Sequence, residues 1–209
     1  MNDAELPGSF SERRVKQSLT FDPEQSAVLV IDMLNDFLDP EGAMPLIEGR
    51  RLYEPIRRLV KAARESGAPV IWICDEHLPT DREFEKRSVH CLQGSWGAKI
   101  VAELEADDSE LRIPKTRYSG FFETELDQRL RQMGIDHLIL TGVVTNICVR
   151  STAHDAFFRD YRVIIPVECV AATSEREQAS TLYDLDTHYG TVAGLDEVLA
   201  ILAGAPRSA

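Results

Sequence analysis

The stretch DHLILTGVVTNICVRSTAHDAFFRD, residues 136–160, reads as a buried strand that turns directly into a helix. Residues 136–141 are the strand, Gly142 to Thr145 the turn, and the helix runs from Asn146 to residue 159. Cys148 therefore falls in the first helical turn, where unpaired N–H groups and the positive end of the helix dipole favour a thiolate. A thiolate beside free N–H donors is the core of an acyl-transfer site.

The same alternation continues in both directions. Ala27 to Asp32 is an unbroken apolar run closed by an acid, as in a strand buried on both faces. Residues 50–66 carry Leu52, Ile56, Leu59, Val60 and Ala63 at helical spacing, and Gly67 closes that helix. Pro69 to Cys74 is a second strand, 96–106 a short helix, 111–114 a third strand, 123–133 a helix and 161–165 a fifth strand. Helices at 174–187 and 194–203 complete the chain. Alternating elements of this kind predict a three-layer α/β/α sandwich around a mostly parallel, Rossmann-like sheet of about six strands. Residues 1–23 read as a polar N-terminal arm and 24–209 as one domain.

Composition narrows the partners. A net charge of −12, from 35 acidic and 23 basic residues, argues against nucleic acid and against an anionic membrane surface. No segment approaches the roughly 18–20 apolar residues of a membrane span. The N-terminus has no apolar signal core, so a cytoplasmic location is expected. The four dispersed cysteines (Cys74, Cys91, Cys148, Cys169), with no CxxC, are expected to be free thiols.

In open parallel sheets ligands bind beyond the carboxyl ends of the strands. Asp32, Asp75, Lys115 and the turn from Val143 to Cys148 all fall there. Each has a plain structural reading alone: a capped acid, a solvated lysine, a small core thiol. Together they can perform nucleophilic catalysis, with a carboxylate to take the thiol proton, an ammonium to hold the charges and a sulfur to attack a carbonyl. Asp75 and His77 alternate on an extended segment and share a direction; Glu83 follows six residues after His77, and His90 seven after that. Such mixed N/O ligation suits Zn²⁺, with Fe²⁺ or Mn²⁺ as alternatives. No organic cofactor is indicated.

Five motifs in order resemble the isochorismatase-like cysteine hydrolases and, within them, the nicotinamidases: VLVIDMLNDF (28–37), DEH (75–77), HCLQGSWGA (90–98), PKTRYSGFFET (114–124) and LTGVVTNICVRSTAHDAF (140–157). The resemblance runs from about Ala27 to Tyr189. It implies that Asp32 is the general base, Lys115 its charge partner and Cys148 the nucleophile. It also implies a cis peptide at Val143–Val144, which would aim the Val144 N–H with that of Cys148 into an oxyanion hole. The cysteine points to C–N cleavage, because relatives that cleave the isochorismate vinyl ether generally lack it. Asp75, His77 and His90 match nicotinamidase metal ligands, with Glu83 as the candidate fourth and the nearby Asp81 as its alternative; there the metal holds the pyridine nitrogen of the substrate. Nicotinamidases commonly place a tryptophan shortly before that last histidine, whereas this chain has Lys86-Arg87-Ser88-Val89. Arg87 can stack on a ring or hold a carboxylate or ureide. Phe37, Trp96, Tyr118 and Phe121 are the candidate aromatic walls, with plain packing as the alternative.

The expected activity is thus hydrolysis of a small amide through a thioester, nicotinamide first and an N-carbamoyl or ureide compound second. A catalytically silent binding protein on the same fold is the alternative of another class. A homo-oligomer is expected, as for most small enzymes of this kind.

Overall fold

The computed structural model describes residues 19–204. Among them, seven strands form one parallel sheet: β1 (Ser26–Ile31), β2 (Val70–Asp75), β3 (Leu111–Lys115), β4 (His137–Val143), β5 (Arg162–Pro166), β6 (Val170–Ala171) and β7 (Gly190–Ala193). The order across the sheet is β3-β2-β1-β4-β5-β7, and the short β6 pairs with the end of β4. The sequence reading anticipated the first five strands. It missed β6 and β7, which are two and four residues long and carry no extended apolar run.

Every position of β1, β2 and β4 is buried. Successive side chains of β1 point to opposite faces, so each contributes to both sides of the sheet. Val28 and Val30 join a core with α2 (Tyr53–Ser66) and α6 (Leu195–Leu202). Ala27, Leu29 and Ile31 join the other core, with Leu126 and Leu130 of α3 (Leu126–Gln132) and Ala153 and Ala156 of α4 (Arg150–Phe157). Helix α2 buries Ile56, Leu59, Val60 and Ala63, the stripe its spacing predicts, and ends at Gly67 with φ 80°. Truncating Leu59, which is fully buried, to Ala costs about 2–5 kcal/mol. The remaining helices are α1 (Asn35–Leu38), not anticipated, and α5 (Glu175–Asp184).

Two expectations are corrected. Residues 96–106 do not form a helix beyond a 3₁₀ turn at Ala102–Leu104. That segment instead ties its backbone to the loop after β1, through Asn35 N–H to Lys99 O (3.0 Å) and Val101 N–H to Met33 O (3.0 Å). The helix after β4 begins as a π-type turn, Thr145–Val149, before α4. Most of the expected arm lies outside the described residues, but Phe21 is buried in the first core.

The topology decides where a ligand can sit. The chain builds outward from β1 through β2 to β3, then returns to place β4 against the other side of β1. The order reverses between β1 and β4, which is the crevice position in an open parallel sheet. Asp32 follows β1 and Cys148 follows β4, so the two residues straddle that crevice.

Candidate active site

Lys115 ends β3 as the register partner of Asp75 on β2. Its side chain is fully buried, and Nζ lies 2.8 Å from Asp32 Oδ2, 2.9 Å from Asp75 Oδ1 and 3.8 Å from Cys148 Sγ. Asp32 leaves β1 at φ 52°, a left-handed conformation that turns its carboxylate across the strand ends. Oδ1 then accepts the Asp75 N–H at 2.9 Å. Nζ and Oδ2 form a close, fully buried ion pair, and the Cys148 thiol also bonds to this carboxylate. The peptide between Val143 and Val144 is cis. Just before it, Gly142 sits so close to β1 that a Cβ would meet Ile31 O at 2.0 Å, so only glycine fits. The Val144 carbonyl accepts the N–H groups of Ile147 (3.0 Å) and Val149 (3.3 Å), on either side of Cys148.

The protonation states differ from the sequence expectation of a resting thiolate. Burial pushes the Cys148 thiol well above its ordinary range; Lys115 opposes this, and the charges of Asp32 and Asp75 reinforce it. Burial also raises Asp32 to about 6, against the pull of Lys115 and with the help of Asp75. Burial works against the Lys115 ammonium, but Asp32 and Asp75, joined by Cys148 once it ionises, outweigh it and hold it charged. The resting arrangement is a thiol, a carboxylate of near-neutral basicity and a fixed cation. The helix start is outweighed because the sulfur is only 7% exposed among two acids.

Asp75 has a second set of partners. Its Oδ2 lies 3.1 Å from His77 Nε2 and 3.2 Å from His90 Nε2. These three buried residues offer ligand atoms within 4.8 Å of one another and could hold a metal ion. The outer nitrogens are also engaged: His77 Nδ1 faces Asp81 Oδ2 at 3.0 Å, and His90 Nδ1 faces the Ser88 carbonyl at 2.7 Å. Both rings thus direct Nε2 inward, as histidine ligands do. Burial disfavours the Asp75 carboxylate, but Lys115 and the two histidines hold it below the usual range. Burial likewise disfavours the His77 cation, but Asp75 and Asp81 push it up to about 9, and His90 is raised by Asp75 against the same penalty. A metal binding here displaces protons. Glu83 stands outside this trio and lines the adjoining cavity. Phe84, which the sequence reading passed over, packs its ring 5.3 Å from His77 and 5.6 Å from His90; it is an ordinary apolar residue in a polar run, with no signal of its own.

A cavity of about 200 Å³ opens over Cys148 and over Asp75 and His90 of the trio. Of the expected walls, Phe37, Arg87 and Tyr118 line it, as do Val143 and Val144. Two do not. Trp96 is 49% exposed, on a loop whose Trp96 carbonyl is fixed by Asn35 Nδ2 at 2.9 Å. Phe121 is buried in the opposite core, 5.8 Å from the Tyr161 ring and beneath Arg159. Met44, Pro45 and Leu46 form a wall that carries no motif and was not anticipated, and Ile147 and Thr173 add to it. His154, on the helix that follows Cys148, stacks on Tyr189 at 4.0 Å, outside the cavity.

The Isochorismatase domain model matches residues 26–197. An isochorismatase-like hydrolase from Alkaliphilus metalliredigens is 34% identical, with a TM-score of 0.81, covering 84% of this chain and 97% of that one. The N-carbamoylsarcosine amidase of Thermoplasma acidophilum is also 34% identical (TM-score 0.75; 82% and 97% covered). A nicotinamidase from Bacillus subtilis is 28% identical (TM-score 0.75; 81% and 99% covered). With the domain spanning the whole of the described sheet, the chain belongs to the isochorismatase family of hydrolases.

Proposed function

We propose that this chain is a cysteine amidohydrolase, with Cys148 as nucleophile, Asp32 as general base and Lys115 as the fixed cation between them. The observation that carries this reading is the buried Lys115 Nζ, within 2.8 Å of Asp32 and 3.8 Å of the sulfur. Asp32 takes the thiol proton as Sγ bonds to the amide carbon, and a carboxyl raised to about 6 is suited to that exchange near neutrality. The N–H groups of Val144 and Cys148 receive the oxyanion. When the C–N bond breaks, Asp32 passes its proton to the nitrogen and ammonia leaves. Water then gives a proton to Asp32 and its oxygen to the thioester carbon. The C–S bond breaks, and the sulfur regains a proton as the acid departs. Lys115 stays charged throughout and offsets the negative charge that moves between carboxylate and sulfur.

Asp75, His77 and His90 would hold a divalent cation, Zn²⁺ by the donor set. Once bound, it supplies a Lewis-acid position for a substrate heteroatom such as a ring nitrogen. A cavity of about 200 Å³ with apolar walls suits a small flat amide, and nicotinamide is the substrate proposed. A second reading, an N-carbamoyl or ureide compound, is favoured by Arg87 on the cavity wall, a partner for a carboxylate. Ammonia release by the Zn²⁺-loaded protein from nicotinamide and from an N-carbamoyl amino acid separates the two. Turnover of the second without the first overturns the nicotinamide assignment. No ammonia from any small amide overturns the amidohydrolase.

A further inference from the structure

Asp81 is surrounded by donors. Its Oδ1 accepts the Glu83 N–H at 2.9 Å and lies 2.9 Å from Arg117 Nη1. Its Oδ2 lies 3.2 Å from the same guanidinium nitrogen and 3.0 Å from His77 Nδ1. The backbone N–H and the guanidinium can only donate. A carboxylate accepts on both oxygens at once, so it meets them and still requires a proton on His77 Nδ1. Asp75 Oδ2, also an acceptor, calls for a second proton on Nε2 in the metal-free ring; a metal displaces that proton, and Asp81 keeps the other on Nδ1, so the lone pair that is freed is the one on Nε2. His77 is fully buried, so no solvent competes for the ring.

We infer that Asp81 is a positioning residue that sets the tautomer of His77 and, through it, the affinity of the Asp75–His77–His90 trio for its metal. This rests on the metal role proposed for that trio. Asp81 also caps the 3₁₀ turn Arg82–Glu85 through its bond to Glu83, and a cap alone would make a different prediction. Asparagine is about as good a cap as aspartate, and alanine is much poorer. The tautomer role reverses that order. In Asp81→Asn the single side-chain oxygen is claimed by Glu83 N–H and Arg117, and the amide NH₂ faces His77 Nδ1. That NH₂ needs a lone pair on Nδ1, which moves the ring proton to Nε2, where it blocks coordination. Flipping the amide sets its NH₂ against two donors instead. Asp81→Ala only removes the orienting partner.

The test is Zn²⁺ affinity, measured by competition with a chromogenic chelator, alongside the Tm of the metal-free proteins. Expected are a loss of about 10–100-fold for Asp81→Ala, a loss at least as large for Asp81→Asn, and a Tm for Asp81→Asn close to that of the natural chain. Near-natural Zn²⁺ binding by Asp81→Asn, with Asp81→Ala lowered in both Tm and affinity, overturns the inference and leaves a cap. If the natural chain itself binds no Zn²⁺, the metal reading falls and this inference with it, whatever ammonia release shows.

Discussion

Lys115 in the buried cluster and Arg87 on the cavity wall are both cations, and the fold treats them in opposite ways. Lys115 is sealed from solvent against two carboxylates and a thiol. Arg87 is exposed at the cavity wall and forms no ion pair with any described residue. Buried charges must be compensated in one geometry, since each unpaired one is costly. An exposed guanidinium can be lost or moved at little cost. On the proposed reading, the chemistry lies in the sealed half of the site and substrate choice in the open half.

The strongest way to break this contrast is at the sealed end. Cys148→Ala is expected to remove turnover by about 10⁴-fold or more with the fold retained, read by ammonia release and thermal melting. Lys115→Met leaves Asp32 and Asp75 without their cation and is expected to cost about 3–5 kcal/mol, measured by denaturant unfolding at neutral pH. That loss shrinks as pH falls toward 6, because without Lys115 the Asp32 carboxyl is raised further and takes its proton at a higher pH than in the natural chain. If Lys115→Met melts like the natural chain, the cluster is not the sealed unit described. In the natural, metal-loaded protein, Asp32 must be ionised to accept the thiol proton. A pH profile should then show kcat/KM falling about tenfold per unit on its acid side, below the value of about 6 that holds without a metal, because a cation on Asp75 offsets part of what raises Asp32; a flat profile from about 4 to 8 removes Asp32 as the base. The smallest effect belongs to the open half. Arg87→Ala should leave nicotinamide turnover within about threefold and Tm unchanged, in line with the low cost of altering an exposed charge. An N-carbamoyl amino acid, if turned over, should lose about tenfold in kcat/KM, a value in the range for one charge-assisted hydrogen bond. Equal losses for both substrates would erase the proposed division.

The same division governs what the sequence reveals. Long apolar strands and the polar residues that end them are local signals, so Asp32, Asp75, Lys115 and Cys148 can be placed on one rim from spacing and topology. The protonation of Cys148 was not legible, because helix position is a local feature, whereas burial among two acids arises from three other strands. The cavity wall was half legible. Phe37, Arg87 and Tyr118 lie beside motif residues, but Met44, Pro45 and Leu46 come from a loop whose place is set by contacts such as Leu46 N–H to Phe37 O (2.7 Å). Trp96 and Phe121 misled because an aromatic ring near a motif in sequence can face solvent or the far core. Asp81 was weighed only as a ligand, since a D-x-x-x-x pattern cannot say on which side of an imidazole a carboxylate will rest.

Asp75 divides its two oxygens, one toward Lys115 and the other toward the pair of imidazoles. A replacement at this position is consequently felt twice, by the proton-handling side and by the cation-holding side, and neither can be retuned there in isolation.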